Sequence, residues 1–208
     1  MTRQAIARWA VPIALLLLFA ATAFVALGGP TAAADTSILL AMQRQSGLVP
    51  VARFFTELGS TLVVVPVALA ASAWLLYRGA GRRALALILL LVSQRLLTEL
   101  LKALFDRARP DPHGHLVAVN SMAFPSGHSS NSMALGLGLA LLLAPARHRI
   151  PALVAGLLFA FAVGCSRMIL GVHWPSDVAG GWALGAAWTL LLVRLVEERP
   201  EPDRIDRS

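Results

Sequence analysis

The chain has 208 residues, 57% of them hydrophobic and 14% charged, with a mean hydropathy of +0.71. That composition excludes an ordinary soluble domain and a disordered chain, and points to a polytopic membrane protein. The formal charge of +7 does not imply nucleic acid, because the arginines fall in short clusters between apolar segments, as the positive-inside rule describes.

At about 20 apolar residues per crossing of a roughly 30 Å hydrocarbon core, the sequence predicts six spans, near 10–28, 58–77, 84–105, 126–144, 150–170 and 178–196. The expected fold class is all-α, with residues 1–196 forming one six-helix membrane domain and 197–208, "EERPEPDRIDRS" from its last apolar neighbour onward, a disordered cytoplasmic tail. A cytoplasmic N-terminus makes alternate connections basic: Arg3 and Arg8, then Arg78, Arg82 and Arg83, then Arg147 and Arg149, then Arg194 and the tail arginines. Residues 1–34 also read as a secretory leader with "TAAAD" as a cleavage site, but the apolar run is longer than such leaders carry, so the first span is expected to be retained. Between the first two spans, "DTSILLAMQRQSGLVPVARFFTELG" has a broken helical period and reads as short helices on the outer membrane surface. Residues 106–125 form the longest polar connection, a loop. Cys165 stands alone and reads as inert packing, and the Gly136/Gly138 and Gly181/Gly185 pairs as close helix contacts.

Three clusters fall on one outer face. In "KALFDRARP", Lys102, the single lysine, and Arg109 are seven residues apart on one expected helix that Pro110 stops, so their side chains can bend to a common anion. In "FPSGHSSNSM", Ser126 caps a helix and Gly127 bares its first N–H groups, an anion site beside His128. In "SRMILGVHWPSD", Pro175 and Asp177 suit a first helical turn, and the Asp177 carboxylate can accept the Nδ1–H of His173 and turn Nε2 outward as a nucleophile. A cation left in hydrocarbon costs roughly 2.5–3.5 kcal/mol, so Lys102, Arg109 and Arg167 together call for an anion that the few nearby acids do not supply. A bound phosphate fits.

K-x6-RP from Lys102 to Pro110, PSGH from Pro125 to His128, and SR-x5-H-x3-D from Ser166 to Asp177 resemble the three-part signature of the type 2 phosphatidic acid phosphatase superfamily, which includes soluble acid phosphatases and vanadium haloperoxidases. The resemblance implies a metal-independent phosphatase without cofactor. The residues agree: no carboxylate cluster suits magnesium, and His113 and His115 lack a third ligand. On this reading, neutral His173 held by Asp177 attacks phosphorus, protonated His128 donates to the leaving oxygen, and Lys102, Arg109, Arg167, Ser126 and Gly127 bind the phosphoryl oxygens. The expected substrate is a lipid phosphate or pyrophosphate reached from the bilayer of a plasma membrane, with the site on the extracytoplasmic face and both termini cytoplasmic. A phosphotransferase of the same superfamily, or a lipid-phosphate-binding or transport protein without catalysis, are the alternatives.

Overall fold

The computed structural model describes residues 3–28 and 32–197, 81% of the chain being helical, with no strand among the described residues. The helices are α1 (Arg3–Ala26), α2 (Ala32–Gln43), α3 (Val49–Leu58), α4 (Thr61–Tyr77), α5 (Gly81–Phe105), α6 (Gly127–Leu142), α7 (Arg149–Ile169) and α8 (Pro175–Glu197). Each expected span has a helix at its place, and α2 and α3 are the short helices expected between the first two. Of the expected tail, 197–208, Glu197 is the last residue of α8 and 198–208 lie outside the described residues.

Length and composition mark four or five of the six expected spans among the described residues. Four helices, α1, α5, α7 and α8, are long and apolar enough to cross a membrane, and α3 with α4, bent by 46° at the break between them, would make a fifth. The fourth expected span is α6, which has 16 residues, about 24 Å at 1.5 Å per residue. Its early turns carry Ser129, Ser130 and Ser132, all fully buried. It is the inner helix of the bundle, packed by α7, α8 and α5, while α1 runs along α8 and α3 along α7.

Small residues bring these helices together, as association in lipid requires. A Cβ on Gly136 would stand 2.8 Å from the Cα of Gly156, so α6 and α7 touch backbone to backbone. A Cβ on Gly181 would stand 2.6 Å from the carbonyl oxygen of Ser126, and one on Gly185 2.5 Å from that of Ser130. These two contacts set the start of α6 directly against α8. Phe124, fully buried, meets Phe19 of α1 and Phe105 of α5 at ring centroid distances of 5.5 and 4.9 Å, which anchors the end of the long loop. Outward, Leu17, Leu62, Leu96 and Leu100 are more than half exposed, the surface a bilayer covers.

Candidate active site

The site forms where the ends of α3, α5 and α7 and the starts of α6 and α8 converge under the 106–125 loop. Lys102 lies in the last turn of α5 and is buried. The sequence reading carried this helix on to Arg109; it ends instead at Phe105, with Asp106 left-handed at φ 44° and its N–H on the Lys102 carbonyl at 3.0 Å. Asp is among the few residues other than glycine that adopt this conformation, so it turns the chain three residues before Arg109. The two cations still converge, through a different residue. Lys102 Nζ donates to Ser121 Oγ at 2.8 Å, and Arg109 Nε donates to the Ser121 carbonyl at 2.6 Å.

Arg109 also donates through Nη1 to the Val172 carbonyl at 2.5 Å and stands 3.1 Å from His173 Nε2. On the other side of that ring, Nδ1 lies 3.3 Å from Asp177 Oδ2, which also accepts the Trp174 N–H at 2.8 Å. An acceptor on one nitrogen and a guanidinium donor on the other assign the proton to Nδ1 and the lone pair to Nε2. His173 is 1% exposed. Burial first, then the positive Arg109, Arg167 and Lys102, push its pKa well below the ordinary imidazole range, so the ring is neutral near pH 7. Burial also lowers the Arg109 pKa, opposed by the Asp177 carboxylate.

Arg167, in the last turn of α7 and buried, donates to Thr56 Oγ1 of α3 at 2.5 Å, and its Nε has no partner among the described residues. His128 follows Gly127 in the first turn of α6. A cleft of about 360 Å³ is lined by Lys102, Arg109, Gly127, His128, Arg167 and His173, together with Thr56, Glu57, Ser121 and Asn131. Ser126 is different. It occupies the N-cap of α6 but makes no side-chain cap bond; fully buried, its Oγ accepts from Ser129 Oγ at 3.1 Å and its N–H donates to the Asp177 carbonyl at 3.0 Å. Its hydroxyl therefore does not reach the cleft, and it ties α6 to α8 instead.

Thr56, Ser121 and Asn131 were not among the expected site residues, and neither was Arg107, counted from the sequence only as a cation of the outer face, which reaches Asp177 at 2.5 Å. Glu99 pairs with Arg95 at 3.3 Å and with Lys102 at 3.7 Å. His115 Nε2 lies 3.1 Å from the Pro110 carbonyl oxygen, and among the described residues no group of three or more His, Cys, Asp or Glu side chains is placed to hold a metal ion.

The family model described as PAP2 superfamily matches residues 83–201, which contain all three clusters. The chain belongs to the PAP2 superfamily. It is 32% identical over 193 residues to phosphatidylglycerophosphatase B of Bacillus subtilis (strain 168), covering 89% of this chain and 93% of that one. A crystal structure described as the first transmembrane PAP2 type phosphatidylglycerolphosphate phosphatase from Bacillus subtilis superposes with a TM-score of 0.83 at 31% identity, over 89% of this chain and 96% of that one. Lipid A 1-phosphatase of Rhizobium johnstonii is 40% identical over 114 residues, half of this chain and 43% of its own. As a PAP2 protein with several apolar helices, the chain is a multi-pass membrane phosphatase acting on phosphomonoesters.

Proposed function

We propose that this PAP2 phosphatase removes the terminal phosphate of a membrane lipid, by way of a phosphohistidine on His173 and without a metal ion. The observation that carries the reading is the continuity of a cationic cleft with an apolar groove. The groove, about 300 Å³ between α4 and α5, is lined by Val64, Val65, Ala68, Leu69, Ile88 and Leu96 and shares Thr61, Arg95 and Asn131 with the cleft. A headgroup phosphate can meet Lys102, Arg109 and Arg167 while its tail stays among apolar side chains. A larger cavity of about 600 Å³ between α4, α6 and α7 is almost wholly apolar and holds none of the ionisable residues, so it offers no chemistry.

In the first step the Nε2 lone pair of His173 forms a bond to phosphorus as the bond to the lipid oxygen breaks, and protonated His128 gives its proton to that oxygen. Asp177 holds the Nδ1–H and offsets the positive charge the ring acquires. Lys102, Arg109, Arg167 and the Gly127 N–H meet the three equatorial oxygens, whose charge redistributes in the transition state. His128 then takes a proton from water, which attacks phosphorus, releases phosphate and restores His173. Phosphomonoester hydrolysis is among the slowest uncatalysed reactions, needing up to ~10²¹-fold acceleration, which accounts for three cations around one group.

The relatives are named for phosphatidylglycerophosphate, lipid A and decaprenylphosphoryl-5-phosphoribose. Phosphatidylglycerol phosphate is the first candidate here, because that relative is matched along nearly its whole length. The helix order and charge pattern favour six crossings, α3 and α4 making one of them, with termini inside a plasma membrane and the cleft outside. The test is release of inorganic phosphate from phosphatidylglycerol phosphate, phosphatidic acid and a polyprenyl diphosphate by purified protein in excess chelator. Turnover of at least one lipid is expected. Activity abolished by the chelator, or a new phosphodiester in place of free phosphate, would overturn hydrolysis by this route.

A further inference from the structure

Behind Asp177 lies a second charged layer that the chemistry above does not use. Arg107 forks between two carboxylates: Nη1 donates to Asp177 Oδ1 at 2.5 Å, and Nη2 to Asp35 Oδ2 at 2.8 Å. Asp35, on α2, is buried. It also accepts the Ser176 N–H on Oδ1 at 2.8 Å and the Ser176 hydroxyl on Oδ2. Arg107 further donates to Ser176 Oγ at 2.7 Å and stacks on Trp174, its Cζ 5.6 Å from the ring centroid. Asp35 thus holds Asp177 from two directions, through the guanidinium and through the neighbouring residue's backbone.

We propose that Asp35 and Arg107 are positioning residues for Asp177, fixing the carboxylate so that Oδ2 faces His173 and leaving it the net charge that the imidazole needs. The inference rests on the reading of His173 and Asp177 given above. Arg107 pins Oδ1, so the remaining oxygen can turn only towards the Trp174 N–H and His173 Nδ1. A lone guanidinium at that distance would also cancel the carboxylate's charge and weaken its hold on a ring becoming positive. Asp35 offsets the guanidinium, and the trio keeps one net negative charge. None of the three touches the phosphoryl cleft. A structural ion pair that merely ties α2 to α8 uses the same contacts, so the test must read the link to Asp177.

Asp35→Asn, Asp177→Asn and the double variant are assayed as full-length protein with phosphatidylglycerol phosphate, and inorganic phosphate is titrated as inhibitor to report the cationic cleft. Asp35→Asn is expected to lower kcat by about 10- to 100-fold, the loss seen when the outer partner of a metal-bound imidazole is removed and taken here as the scale for a nucleophilic one, with KM and the phosphate inhibition constant little changed. In the Asp177→Asn background the same substitution should cost almost nothing further, because it acts through a carboxylate already removed. Unchanged kcat in Asp35→Asn, or losses that multiply in the double variant, would overturn the proposal. Should Asp35→Asn lose phosphate inhibition altogether, Ser176→Ala is read by the same cycle, and full kcat there overturns it. Full kcat in Asp177→Asn alone would instead overturn the reading of the site itself.

Discussion

Arg109 and His173 stand 3.1 Å apart, the guanidinium Nη1 against the imidazole Nε2, so a cation lies in the direction from which, in the proposed mechanism, phosphorus arrives. A phosphate entering there takes over the donor and leaves the lone pair aimed at phosphorus. Arg109→Lys loses the planar fork that bonds Ser121 and Val172 while facing the cleft. It should lower kcat by about 10²- to 10³-fold, the cost of one transition-state donor. A lysine variant within threefold of the parent would show that point charge alone suffices.

Ser121→Ala tests a residue that no motif marks. Its hydroxyl accepts from Lys102 Nζ at 2.8 Å, and without it the ammonium keeps, among the described residues, Glu99 at 3.7 Å as its side-chain partner. Weaker binding of inorganic phosphate, by up to about 1.5–3 kcal/mol for one hydrogen bond to a charged group, is expected in calorimetry. An unchanged affinity contradicts this role for Ser121.

His173 gives stability a pH dependence of definite sign. Its pKa in the fold is well below the ordinary value, which is about 6.5 in an unfolded chain. Below that pH the unfolded chain binds a proton the folded chain refuses, so stability falls as pH falls through about 6.5, by up to ~1.4 kcal/mol per unit; above it the group contributes no slope. In phosphate-free detergent solution, the melting temperature of the parent should drop more steeply than that of His173→Gln between about pH 6.5 and pH 5. Parallel curves would mean the ring protonates in place.

Gly185→Ala should destabilise without touching the chemistry. Its Cβ would come within 2.5 Å of the Ser130 carbonyl, a backbone atom that cannot swing aside, and overpacking of this kind costs roughly 1–3 kcal/mol. Thermal unfolding in detergent reads it directly; an unchanged midpoint would show that α8 can slide along α6.

Much of this architecture is written in local patterns. The apolar runs give every long helix, and three short clusters mark Lys102, Arg109, Gly127, His128, Arg167, His173 and Asp177, because each cluster falls at or just beyond the end of an apolar run. What the sequence conceals depends on tertiary approach. Thr56 meets Arg167 across 111 positions and Asp35 meets Ser176 across 141; no periodicity relates such pairs. Ser126 shows the converse, a residue that looked like a cap and an anion donor until α8 closed over it at Gly181. The length of α5 was misread because Asp106 can break a helix as glycine does, and nothing in "LFDRARP" says whether it will. The crossing that length and composition do not mark is α6, a 16-residue helix whose apolar run faces other helices.

The most direct measurement is labelling with phosphatidylglycerol phosphate carrying a radioactive terminal phosphate, in chelator, quenched in alkaline detergent and followed by mapping of the modified peptide at high pH. Label that is acid-labile, base-stable and confined to His173, persisting when His128→Ala is given a substrate with a good leaving group and absent in His173→Ala, is the expected result. Steady release of phosphate with no trapped label, or label on any other residue, would contradict attack by His173 on phosphorus.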